Sequence, residues 1–74
     1  MKDDLSNFLN ELVDLLMEDA IKYKKNSKKD SKLDAGCRMG YYFSISKIFN
    51  MAEAWGISYY LPKKWRDYDL EELL

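Results

Sequence analysis

Apolar residues recur at helical spacing along two stretches of the chain, separated by a short lysine-rich break. In the first stretch Leu5, Phe8, Leu9, Leu12, Val13, Leu15, Leu16, Met17, Ala20 and Tyr23 return every three or four residues. At about 100° per residue most of them fall within an arc of roughly 200°, which predicts a helix over about 4–25. In the second stretch Leu33, Cys37, Tyr41, Tyr42, Ile45, Ile48, Phe49, Met51, Ala52 and Trp55 fill a similarly wide arc. That pattern predicts a helix over about 31–55. Ser31 and Asp34 have the spacing of a capping box, with Asp in the place of Glu. Gly56 followed by Ile57 fits a helix stop, because glycine adopts the left-handed conformation and the next apolar residue folds back on the last turn. Asn26-Ser27-Lys28-Lys29-Asp30 reads as the turn between the helices.

Centring that turn between Lys28 and Lys29 levels Leu16 with Tyr41, Leu12 with Ile45, Leu9 with Ile48 and Phe8 with Phe49. An apolar partner at every level predicts an antiparallel hairpin. Residues 57–74 differ in kind. Ile57 to Leu61 looks extended, Pro62 breaks any continuing helix, and Lys63-Lys64-Trp65-Arg66 is basic with one aromatic. Asp67 to Leu74 predicts a short helix capped by Asp67 or Asp69. The expected fold is all-α: a two-helix hairpin over residues 1–56 and a C-terminal tail over 57–74 that ends in a short helix. A helix with one neighbour needs an apolar arc only about half as wide as these. The surplus predicts that the tail packs back through Ile57, Tyr59, Tyr60, Leu61 and Trp65, or that a second copy completes a four-helix bundle. The homodimer is the favoured expectation.

Length sharpens this picture. A chain of 74 residues makes one small domain with a marginal core. Cys37 is the sole cysteine and there is no histidine, which rules out an internal disulfide and leaves too few soft ligands for a zinc site. A hydrophobic share of 47% is too high for a disordered chain. The longest apolar runs are three residues, so no membrane span is expected. The Met1-Lys2-Asp3-Asp4 start does not resemble a signal peptide, and with a lone cysteine it points to the cytoplasm.

Net charge is only −1, yet the charges are segregated. Residues 1–20 hold six acids against one lysine, and residues 21–32 hold six lysines against one acid. Acids at a helix start and lysines at its end suit the helix dipole, which accounts for much of the asymmetry. Asp19 and Arg38 each interrupt an apolar stripe at equal height in the hairpin. Charges in a packed face are costly unless paired. On the helical wheel Asp19 lies about 50° and Arg38 about 60° from the centres of their stripes, on opposite flanks of the contact. Asp19 then faces Cys37, Gly40 and Ser44, and Arg38 faces Ala20 and Lys24. Any partner of either charge is expected from the tail or a second chain.

Three further features bear on function. Gly36, Gly40 and Ser44 recur every four residues, a groove of small side chains that admits either a partner helix or the chain's own first helix or tail. Met39 and Phe43 lie one turn apart on the polar side of the second helix and form a potential contact patch. With Asp19, Arg38, Trp55, Tyr59, Tyr60 and Trp65 these residues make the expected partner or dimer interface. Lys24, Lys25, Lys28 and Lys29, within the Lys22–Lys32 basic turn, are the candidates for nucleic-acid contact. Only Tyr23 is there to stack on a base, and no arginine is there to read one.

Catalysis has little to draw on. No histidine is present to act as a base near neutral pH, and Cys37 sits within an apolar stripe where a thiol is inert. No glycine-rich phosphate loop occurs. No cofactor and no enzymatic activity are expected. The sequence reads as a small protein-binding adaptor or inhibitor. Its lysine-, asparagine- and aspartate-rich composition suits bacterial or phage genomes, where an immunity or anti-defence protein of a mobile element is a fitting subclass. The alternatives are nucleic-acid binding through the lysine turn, and a structural subunit of a larger helical assembly.

Overall fold

The computed structural model describes residues 2–74; Met1, part of the polar start discussed above, lies outside them. Two long helices, α1 (Lys2–Asn26) and α2 (Lys32–Ala54), form the hairpin, and each boundary falls within two residues of the sequence expectation. The tail adds a 3-10 turn (Ser58–Tyr60), a single helical turn, α3 (Lys63–Arg66), and a terminal 3-10 helix (Leu70–Leu73). No strand occurs among the described residues.

Local chemistry accounts for these boundaries. Ser31 caps α2, its hydroxyl accepting the Asp34 N–H at 3.1 Å. Only half of the capping box forms. The Asp34 carboxylate instead accepts the Lys28 N–H at 2.8 Å and the Tyr23 hydroxyl at 3.0 Å, which ties the turn to both helices. At the other end of α2, Gly56 takes φ +69°. The Ile57 N–H then reaches the Ala52 carbonyl at 2.8 Å and the Gly56 N–H reaches Glu53 at 3.0 Å, the paired bonds of a Schellman stop. Asp69 caps the terminal 3-10 helix by accepting the Glu71 N–H at 3.1 Å.

Val13, Met17 and Ala20 of α1, Ile45 and Ala52 of α2, and Leu61 and Leu73 of the tail form the buried core. The tail therefore packs back on its own hairpin and supplies two of the seven core residues. The extended reading of Ile57 to Leu61 is corrected: Ser58–Tyr60 is a 3-10 turn, which lowers Leu61 into the core, and Leu61 alone is extended.

Asp19 also differs from expectation. It is exposed, not set into a packed face, because α1 meets its neighbours through Val13, Met17 and Ala20, and Asp19 lies one residue step around from Ala20. Among the described residues no charged side chain is buried.

The molecule measures 44 × 20 × 17 Å, with a radius of gyration of 13.2 Å. A compact 74-residue domain has a radius of gyration near 11 Å, so this one is elongated.

Candidate functional site

Helix α1 presents three faces. Asn10, Asp14, Ile21 and Lys24 meet the tail. The Asn10 amide donates to the Tyr60 carbonyl at 3.2 Å, and the Trp65 indole N–H donates to Asp14 at 2.8 Å. The Lys64 ammonium also reaches Asp14, at 3.1 Å, and Glu18 at 4.0 Å. The Trp65 bond, with that of Lys64, holds the Asp14 carboxyl below its usual value of 3.8. Beside this face lie the buried Val13, Met17 and Ala20.

The third face is open. Leu5, Phe8, Leu12 and Leu15 are 71%, 64%, 37% and 53% exposed. Their spacing, three then four then three residues, is that of a and d positions in a coiled-coil heptad. They form an apolar seam with no element of the tail or α2 covering it. Asp19 and Lys22 continue the same spacing and end the apolar seam with charge.

One flank of this seam opens into a groove between α1 and α2. Leu9, Ile48, Met51, Ala52, Trp55 and Ile57 line a cleft of about 380 Å³, with Lys47 at its edge. Leu5 and Leu9 continue it towards Ile57 and Tyr60. Further along, Leu16, Cys37, Gly40, Tyr41, Ser44 and Ile45 line a second, shallow apolar cleft. Seam and groove are continuous through Leu5, Leu9 and Leu16. The other flank is acidic: Asp4, Glu11 and Glu18 recur every seven residues, all exposed.

The residues expected from sequence at an interface divide into three groups. Trp55 at 74% exposure, Gly40 and Tyr60 border the groove. Tyr59 is 60% exposed and its ring lies 4.3 Å from that of Tyr60. Met39 and Phe43 are exposed on a different side of α2, with Phe43 edge-on to Tyr42 at 5.4 Å, and Gly36 lies near them. A side-chain carbon built on either Gly36 or Gly40 would meet nothing within 4 Å. Neither α1 nor the tail therefore enters the small-residue groove.

Trp65 and Arg38 bind within the chain. Trp65 is half-buried, edge-on to Tyr68 at 5.4 Å, with the Lys64 ammonium 5.0 Å from its ring. Arg38 donates to the Ser27 hydroxyl at 2.7 Å and to the Leu74 carbonyl at 3.0 Å. Its partners come from the tail and the turn, and Asp19 lies elsewhere, lining a polar cleft with Tyr23, Asp34 and Tyr41. The two charges thus occupy opposite flanks, although Asp19 does not line the cleft of Cys37, Gly40 and Ser44.

The lysine cluster is partly engaged as well. Lys24 donates to the Glu72 carbonyl, and Lys25 lines a cleft with Tyr68 and Glu72. Lys28 and Lys29 are exposed in the turn, beside Asp30 and the Asp34 carboxylate. Carboxylates therefore interleave with the cations and weaken the field that a phosphate backbone would meet. Hydrogen bonding with Cys37 and with Asp34 raises the Tyr23 phenol above its ordinary value of 10. The Lys28 N–H, with the Tyr23 hydroxyl, lowers Asp34 below 3.8. Tyr23, Asp34 and Cys37 thus belong to the fastening of the turn. Among the described residues no group of His, Cys, Asp or Glu is arranged to hold a metal, and no helix is long and apolar enough to cross a membrane.

The seam escaped the sequence reading because Leu5, Phe8, Leu12 and Leu15 were assigned to the hairpin contact along with every other apolar residue of α1. Their heptad spacing within the wider arc is the signal that separates them. No protein-family model matches this chain, and no curated protein or solved structure matches it either.

Proposed function

We propose that this chain is a non-enzymatic helical module that acts, as adaptor or inhibitor, by binding another protein. The observation that carries the reading is the open seam of Leu5, Phe8, Leu12 and Leu15, four large apolar side chains aligned on one helix face and exposed together. Scattered single leucines need no explanation, but an aligned, contiguous set marks a contact surface.

The area supports the same reading. The molecule exposes 5739 Å², whereas a compact monomer of 8.8 kDa exposes about 4,800 Å². The surplus of roughly 900 Å² is close to the ~800 Å² that each partner contributes to an interface of standard size.

A double variant, Phe8→Glu with Leu12→Glu, tests the proposal. Both side chains point outward, so helix content by circular dichroism stays at the wild-type level. Affinity capture from the native host recovers a protein with the wild-type chain and loses it with the variant. Capture of the same proteins by both chains, or of none by the wild type, would refute the reading.

A further inference from the structure

We infer that the seam receives a cationic amphipathic helix: a partner helix whose own apolar a and d face is bordered by lysine or arginine. This inference rests on the protein-binding reading above and names the chemistry of the partner. Three observations lead to it.

The first is geometric. From Leu5 to Leu15 the seam rises about 15 Å, or close to three helical turns. The spacing is that of a coiled-coil strip, which a second helix fits by knobs-into-holes packing. On the groove side Leu9 and Leu16 widen the strip towards α2 and give an incoming helix two walls.

The second is charge. In heptad terms Asp4, Glu11 and Glu18 occupy the three g positions beside the apolar layers, and all are exposed. The g positions select a partner by charge. Residues 1–20 hold six acids against one lysine, so the field along this face is negative. Within the chain the Lys64 ammonium stands 4.0 Å from Glu18. No printed ion pair engages Asp4 or Glu11, and both border the part of the seam that is most exposed.

The third is the poor fit of a second copy. The antiparallel register that stacks Leu5 on Leu15 and Phe8 on Leu12 places Glu11 beside its own counterpart and Asp4 beside Glu18. The parallel arrangement sets these carboxylates against Leu9 and Leu16 and brings the acidic helix starts together. Either way the copy supplies the apolar layers but no cation, whereas a lysine-bordered helix supplies both.

The test uses two designed helical peptides, each with leucine at a and d positions. One carries lysine at e and g, the other glutamate. Binding of the labelled peptides to the full chain is followed by fluorescence anisotropy at low salt. The lysine peptide is expected to bind at least ~10-fold more tightly, since several exposed ion pairs change sign between the two. The triple variant Asp4→Lys, Glu11→Lys, Glu18→Lys reverses the preference, and its exposed positions keep the fold intact. Phe8→Ser with Leu12→Ser abolishes binding although every charge remains.

Equal affinity for both peptides overturns the inference. So does lysine-peptide binding that survives Phe8→Ser with Leu12→Ser, since that would be non-specific attraction to an acidic surface. Light scattering that shows a wild-type dimer, lost in that same double variant, also overturns it and assigns the seam to a second copy. If neither peptide binds while host capture still depends on Phe8 and Leu12, the cationic partner is wrong and the protein-binding reading stands.

Discussion

The three glycines separate by their surroundings. Gly56 is held at φ +69°, where a side chain is strained by about 1 kcal/mol or more. Gly36 and Gly40 lie inside α2 with open space where a side-chain carbon would sit. A helix-interior glycine costs roughly 1 kcal/mol relative to alanine, and nothing in this fold uses the room it leaves. Gly36→Ala and Gly40→Ala are each expected to raise unfolding free energy by about 0.5–1 kcal/mol, and Gly56→Ala to lower it by about 1 kcal/mol. Urea denaturation followed by circular dichroism measures all three. Ser31, Asp69 and Gly56 were legible as caps and stops from residue type alone, because capping is local chemistry. The partners of Asp34 were not: the Tyr23 hydroxyl comes from the other helix, eleven residues away.

At the scale of elements, α1 shows why a wide apolar arc is ambiguous. Three neighbours compete for it, namely α2, the tail and solvent, and periodicity alone does not apportion the arc among them. Asp14 decides part of the division by accepting from Trp65 and Lys64, which draws α3 onto α1. Because the folded Asp14 carboxyl titrates below 3.8, its contribution to tail docking is fully present above about pH 4. That contribution is lost as pH falls through the lowered folded value. Asp34 is lowered in the same sense, so the turn loosens over the same acid range. In a Trp55→Phe background, Trp65 emission is expected to shift to the red as pH falls below 3.8. Asp14→Ala should show the shifted emission already at neutral pH. An unchanged Trp65 spectrum in that variant would mean that apolar packing alone seats α3.

For the whole molecule the tail determines how complete the fold is. Leu61 and Leu73 are 3% and 1% exposed, while Arg38 and Lys24 hold the carbonyls of Leu74 and Glu72. Deleting a buried leucine side chain costs about 3 kcal/mol. That is a large share of the marginal stability expected of so small a core. Leu73→Ala is expected to lose about that amount, whereas Leu5→Ala, 71% exposed, should change stability by less than about 0.5 kcal/mol. Chemical denaturation of the two variants checks the contrast. A comparable loss at Leu5 would place that residue in a buried interface in solution.

The amino-acid sequence by itself determined the two helices, their turn, their caps, the hairpin pairing and the opposite flanks of Asp19 and Arg38. All of these follow from periodicity and from chemistry within a few residues. Tertiary structure alone decided that the tail folds back, that Trp65 and Arg38 serve the chain's own packing, and which part of the α1 arc stays open. Those outcomes depend on contacts between residues some fifty positions apart, such as Trp65 with Asp14. A stripe records only that its residues prefer to leave water; which surface takes them in is settled when the elements compete for the same face.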